Sequence, residues 1–289
     1  MIIQLDNGIL QAKIHLLGAE LISLCKDKIE YLCVANKPIW DRQAPILFPN
    51  VGCIKDGYVL INEKKYLLPQ HGFAKDSVFS CIEHSQTSAT FMLESSLETI
   101  KLYPWKFRLL VRYTLEDNCL HISISVWNDD CSAMYYSCGF HPGFKCPLMP
   151  EETAEMYHIT FSPPMTANRL VMKNALVVEN QPKFLNSIWK LPLQEGMFDG
   201  GSYTLTDLTS YNVTLSNQNA FHSVTVGSKG FNQLVLWAPP KEPFSYICIE
   251  PWCGMADWAD SNHNFETKQG NAAVLPGKSD SKEIFIMLT

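Results

Sequence analysis

Between Leu120 and Trp127 the chain alternates without a break, with Leu120, Ile122, Ile124 and Val126 on one side and His121, Ser123, Ser125 and Trp127 on the other. A period of two belongs to a β-strand with one buried and one wetter face. Similar runs recur at Ile2 to Leu5, Ile9 to Leu16, Leu21 to Cys25, Tyr58 to Ile61, Lys65 to Leu68, Val78 to Glu83, Ala89 to Glu94 and Phe107 to Leu115. They return at Tyr203 to Leu208, Tyr211 to Leu215, Ser223 to Val226, Gln233 to Ala238, Ser245 to Glu250 and Glu283 to Leu288. Turn signals separate them: Asn7-Gly8 marks a hairpin, and Asp56-Gly57 opens another. Pro38, Pro45, Pro49 and Gly52 punctuate a loop region around Ile46-Leu47-Phe48, and the stretches 147–152 and 180–182 read as loops. Helical periodicity is confined to a short turn expected at Leu185 to Leu191. The pattern predicts an all-β fold, a large antiparallel β-sandwich or barrel, with residues 1–289 forming one domain.

Composition narrows the function classes. A chain of 289 residues with 46% hydrophobic and 18% charged residues can bury a large core and is not of a disordered type. A net charge of -6 without a basic run argues against a nucleic-acid partner. No run reaches the roughly 20 apolar residues that span a bilayer, so no membrane association is expected. The start, Met1-Ile2-Ile3-Gln4-Leu5-Asp6, lacks the basic and apolar regions of a signal peptide. The ten cysteines include no Cys-x-x-Cys pair, and Cys138 and Cys146 around His141 lack a zinc spacing. They read as reduced thiols serving as small hydrophobes, which leads to the expectation of a cytoplasmic protein with no metal.

Three stretches carry candidate chemistry. Cys248-Ile249-Glu250-Pro251-Trp252 sets a carboxylate at the end of an apolar run, and proline is expected to stop the ladder there and deliver Glu250 to a rim as a base. Gln70-His71-Gly72-Phe73 and Phe140-His141-Pro142-Gly143-Phe144 each hold an imidazole in a turn constrained by glycine or proline. Imidazole exchanges protons near neutrality. Those two turns alone fit structural histidines as well as catalytic ones. His15, His84, His121, His158, His222 and His263 lie in strands or loops without such a setting, and His121 is expected to be exposed.

Taken in order, the segments Ala44-Pro45-Ile46-Leu47-Phe48-Pro49, Leu68-Pro69-Gln70-His71-Gly72-Phe73-Ala74-Lys75-Asp76, Gly139-Phe140-His141-Pro142-Gly143-Phe144 and Cys248-Ile249-Glu250-Pro251-Trp252 resemble those of the aldose 1-epimerases, or galactose mutarotases, and most closely their LacX-type branch. The resemblance covers almost the whole chain and implies a large two-sheet antiparallel β-sandwich. It implies Glu250 as general base, His141 as the acid that protonates the ring oxygen, and His71 as a group that binds sugar oxygen and stabilises the open-chain carbonyl. Such chemistry needs no cofactor. It needs Glu250 ionised and His141 protonated at the moment of attack, states that mutual proximity is expected to support.

The flat faces of a pyranose stack on aromatic rings, so Trp252, Trp237, Phe73 and Phe140 are candidates by adjacency, with core packing the alternative for each. The sequence departs from the family at Cys53, where an arginine is usual, and Lys75 replaces another. Arg42 or Lys55 is the nearby candidate to substitute for the missing guanidinium, and Asp199 in Met197-Phe198-Asp199-Gly200-Gly201 is the candidate for the family's sugar-binding aspartate. The implied activity is mutarotation of a free aldohexose by a monomer or homodimer. A hexose-6-phosphate 1-epimerase, which needs a basic pocket, and a non-catalytic carbohydrate sensor are the competing readings.

Overall fold

The computed structural model describes residues 1–35, 40–219, 221–240 and 245–289. Pro38 of the expected loop region lies outside them. Nearly everything is antiparallel β-structure. Fifteen strands join in one hydrogen-bonded sheet, beside a four-stranded sheet of Ile2–Asp6, Leu10–His15, Glu20–Lys26 and Ile29–Glu30 and two two-stranded ribbons. The large antiparallel architecture is the expected one, with more continuous hydrogen bonding than a division into two sheets implies. A twisted sheet this wide curls, and its inner face closes on a core running from Leu5 to Leu288. The alternating run at 120–127 belongs to the strand Cys119–Asn128, with Leu120, Ile122, Ile124 and Val126 buried and His121 exposed.

Three local expectations are corrected. Leu185 to Leu191 is not helical but part of the strand Leu176–Pro192, which also takes in the presumed loop at 180–182. That strand pairs with Tyr157–Lys173, a strand the sequence concealed because Pro163-Pro164 interrupts it; the pairing shifts register between Thr160 and Met165. Asn174 and Ala175, both at positive φ, turn the chain between them. The α-helix is instead Leu97–Leu102, too short for a periodicity. It is set by a capping box in which the Ser96 hydroxyl accepts from Thr99 N–H and the Thr99 hydroxyl accepts from Ser96 N–H. Among the described residues no helix is long and apolar enough to cross a membrane. All ten cysteines are free thiols.

Candidate active site

Glu250 lies within the strand Tyr246–Cys253, in which every residue is buried. Pro251 does not end that strand, and Glu250 is 1% exposed rather than displayed on a rim. One neighbouring strand, Gln233–Trp237, pairs along its whole length, with Val235 opposite Glu250 and Leu234 opposite Pro251. The other neighbour is broken in two: Cys138–Phe140 pairs at Cys253 and Trp252, and Gly143–Lys145 pairs at Cys248 to Tyr246. Amide groups alternate sides along a strand, and Ile249 N–H points to the broken side, onto Pro142 O. Pro251, two residues on, lacks its N–H on that same interrupted side, so the proline is tolerated.

Register then addresses the histidine. Gly139 lies opposite Trp252 and Gly143 opposite Cys248, so continuing the same count across the gap sets His141 opposite Glu250. Opposed residues project to one face of a sheet. His141 Nε2 accordingly stands 3.2 Å from Glu250 Oε2. The two glycines flanking His141 on that face make room for its neighbours. A Cβ on Gly139 would fall 2.8 Å from Trp252 Cδ1, and one on Gly143 would fall 2.8 Å from Trp40 Cζ3 and from Cys33 Sγ. Trp40 packs over the His141 ring at 4.9 Å between centroids, and Trp237 meets it edge-on at 6.3 Å.

His71 comes from the turn after Leu68 and has φ of 63°, a left-handed conformation unusual outside glycine. Its ring centroid lies 5.7 Å from that of His141 and 5.5 Å from that of Trp252. Gly52 N–H donates to its Nδ1 at 3.1 Å, while His71 N–H donates to Gly52 O. An Nδ1 that accepts leaves the neutral ring's proton on Nε2. The Gln70 amide lies 3.2 Å from Nε2, so its oxygen is the atom to turn toward that proton.

These groups line a cavity of about 610 Å³ together with Cys53, Asp199, Ser202, Trp237 and Trp252. A cavity of about 760 Å³ near Met149 and Phe221 contains none of the motif residues. Burial dominates the electrostatics. It raises the Glu250 carboxyl well above the ordinary carboxylate range, opposed by the indole N–H of Trp252, although that N–H meets no acceptor at hydrogen-bonding geometry. It drives His141 well below the usual imidazole value, with His71 adding to the effect. His71 itself falls to about 4 through burial and then the charge of Lys75. Burial therefore pushes both members of the resting pair toward their neutral forms, against the support that proximity gives the charged ones.

Of the sequence candidates, the fold brings together Glu250, His141, His71, Trp252, Trp237 and Asp199. It does not bring Arg42, Lys75 or Phe73 into the pocket lining. Arg42 bonds Glu20 at 3.3 Å, Lys75 O at 3.1 Å and Asp76, and the Lys75 ammonium also pairs with Asp76. Phe73 is buried against Phe48, Tyr103 and Phe107, and Phe140 is likewise in the core. Lys55 is held by Ser261 O through its ammonium at 2.9 Å. Cys53 keeps its place in the lining, its thiol raised by burial and the charge of Asp257. Trp40 and Cys248 were missed: the first sits in a proline-rich loop, and the second reads as one more apolar strand residue. A trio of possible ligand atoms from His141, Cys248 and Glu250 lies within 4.8 Å of one another, a cluster made by folding that no sequence spacing reveals.

The family model for aldose 1-epimerase matches residues 1–284. The chain belongs to the aldose 1-epimerase family. Within that family it is 30% identical to the plasmid-encoded protein LacX of Lactococcus lactis subsp. lactis, over 100% of this chain and 99% of the relative. A galactose mutarotase related enzyme from Lactobacillus acidophilus has a similar structure, with a TM-score of 0.95 at 30% identity over 100% of this chain and 97% of the other. A galactose mutarotase-like protein from Lactobacillus casei ATCC 334 superposes with a TM-score of 0.93 at 30% identity, and each chain is covered completely. The shared fold of the aldose 1-epimerase family thus extends over the whole length of this member.

Proposed function

We propose that this protein is a mutarotase that interconverts the α and β anomers of a free, uncharged aldohexose. The observation that carries the reading is the 3.2 Å approach of His141 to Glu250 in an aromatic pocket, with the His71 ring edge-on to His141 at 5.7 Å. The neutral pair holds one proton, and moving it from Glu250 to His141 creates a carboxylate base beside an imidazolium acid. Hydroxyls of a bound sugar hydrogen-bond to both charged forms and favour that transfer. Glu250 then takes the proton of the anomeric hydroxyl while His141 gives one to the ring oxygen, and the C1–O5 bond opens. In this reading the Nε2–H of His71 gives up its contact with the Gln70 amide and donates to the carbonyl oxygen that results. Rotation about C1–C2 and closure with the roles reversed give the other anomer. Atoms and electrons are conserved, and each positioned proton-transfer group contributes about 10²–10⁴-fold.

Among the described lining residues there is no lysine or arginine. Arg42, Lys75 and Lys55 are occupied elsewhere, which favours a neutral sugar over a hexose 6-phosphate. Cys53 is the feature that favours a carbohydrate sensor, since a thiol does not supply the forked donors of a guanidinium. Anomer-resolved NMR on freshly dissolved α-glucose and α-galactose separates the readings. Accelerated exchange is expected. Saturable sugar binding without acceleration overturns the enzyme reading in favour of the sensor, and acceleration confined to a 6-phosphorylated sugar overturns the neutral-substrate assignment.

A further inference from the structure

Cys248 stands at the base of the acid–base pair with no task in mutarotation. It is two residues from Glu250 on one strand, so both side chains project to the same face. His141 reaches that point from the broken neighbouring strand. One nitrogen, one sulfur and one oxygen converge within 4.8 Å of each other, and the nitrogen–oxygen edge is already 3.2 Å. Cys248 is fully buried and Glu250 is 1% exposed. Glu250 Oε2 is buried and, although His141 Nε2 is 3.2 Å away, makes no hydrogen bond of acceptable geometry. Bonds of about 2.0–2.3 Å to a tetrahedral zinc ion set its ligands roughly 3.5 Å apart, so the triangle closes on such an ion with side-chain adjustments of about an ångström.

We propose that His141, Cys248 and Glu250 form a zinc site that switches the pocket off. Thiolate and imidazole suit Zn²⁺, whereas Mg²⁺ and Ca²⁺ require a shell of oxygen ligands that this trio does not offer. His141 and Glu250 line the cavity, so the ion enters by the sugar's route and its fourth position faces the pocket. Binding releases the thiol proton of Cys248 and the carboxyl proton of Glu250 to solvent and changes no oxidation state. The effect is inhibition, because the ion takes as ligands the two groups that must exchange protons with the sugar. That last step rests on the proposed function; the site itself does not.

The test uses the full-length protein and begins with Co²⁺ as a spectroscopic stand-in. A sulfur-to-cobalt charge-transfer band is expected in the near ultraviolet, displaced by Zn²⁺ and absent in Cys248→Ala. Competition against a chromophoric chelator is expected to show zinc affinity weakened by about 100-fold in Cys248→Ala, with Cys248→Ser as a closely isosteric second variant. In NMR exchange, one equivalent of Zn²⁺ is expected to slow anomer interconversion at least tenfold, EDTA to restore it and Mg²⁺ to leave it unchanged. No charge-transfer band in the native protein, or equal zinc affinity with and without Cys248, overturns the site. Zinc that binds through Cys248 yet leaves exchange unchanged or faster overturns the switch. Should the protein accelerate no sugar's exchange, the cobalt and chelator measurements still decide the site, and zinc competition with sugar binding decides the blockade.

Discussion

Two sets of charged and titratable groups lie within a few residues of each other and are treated oppositely. On one side, Arg42, Glu20, Lys75 and Asp76 form a closed network, and Lys268 is seated on Asp257 at 2.6 Å and Met255 O at 2.7 Å. Asp257 spends its second oxygen on Lys55 N–H. On the other side, Glu250 and His141 keep buried atoms without hydrogen bonds. A satisfied network holds loops in place; groups left short of partners are the ones a ligand completes. Mere nearness of a cation to a catalytic motif therefore says little about substrate contact.

The contrast is open to attack from both sides. The largest expected effect is on rate: Glu250→Gln should slow NMR-monitored anomer exchange by about 10²–10⁴-fold, while the thermal melt stays cooperative. An unchanged rate would remove Glu250 from the chemistry. Next, Asp257→Ala should cost about 3–5 kcal/mol in denaturant unfolding, because it strands the buried Lys268 ammonium. A smaller loss would mean that Lys268 finds water or another partner. Trp237→Ala should raise KM about 3–10-fold through the lost stacking face, with kcat nearly preserved. Arg42→Ala should cost stability of about 1–2 kcal/mol and leave KM unchanged, since its fork serves Glu20 and Asp76. The smallest effect concerns the exposed pair Arg108–Asp129, where the guanidinium holds the carboxyl below its ordinary range. Because that value is depressed on folding, its contribution, under about 1 kcal/mol, is present above the unfolded carboxylate value near 3.9 and fades as pH falls through the lower folded one. Acid titrations of unfolding for wild type and Arg108→Ala check the sign.

Sequence reading located the motif residues because their neighbours were informative: alternation identified the strand at 120–127, and glycine and proline framed His71 and His141. It failed where a local rule met tertiary compensation. Pro251 looked like a strand end because the interruption opposite it, at 140–142, is invisible in one dimension. Pro163 and Pro164 hid a long strand for a related reason, since its register shifts there absorb them. Arg42 and Lys75 looked available because their partners Glu20 and Asp76 are only identifiable once folded. Trp40 escaped because a lone aromatic in a proline-rich loop has no pattern to betray it, although a Cβ on Gly143 would collide with its ring. That burial pushes resting Glu250 toward its neutral form was not legible, because burial cannot be counted along a chain.

That His141 faces Glu250 through strand register has a consequence for how this scaffold can change. The two residues are far apart in the chain, yet their meeting depends only on the pairing of Gly139 with Trp252 and of Gly143 with Cys248. Length changes confined to the turns of the intervening stretch, clear of Gln233–Trp237, leave that alignment in place. The turns around the pocket are therefore free to vary while the His141–Glu250 couple stays fixed, which makes them the place to graft new binding preferences.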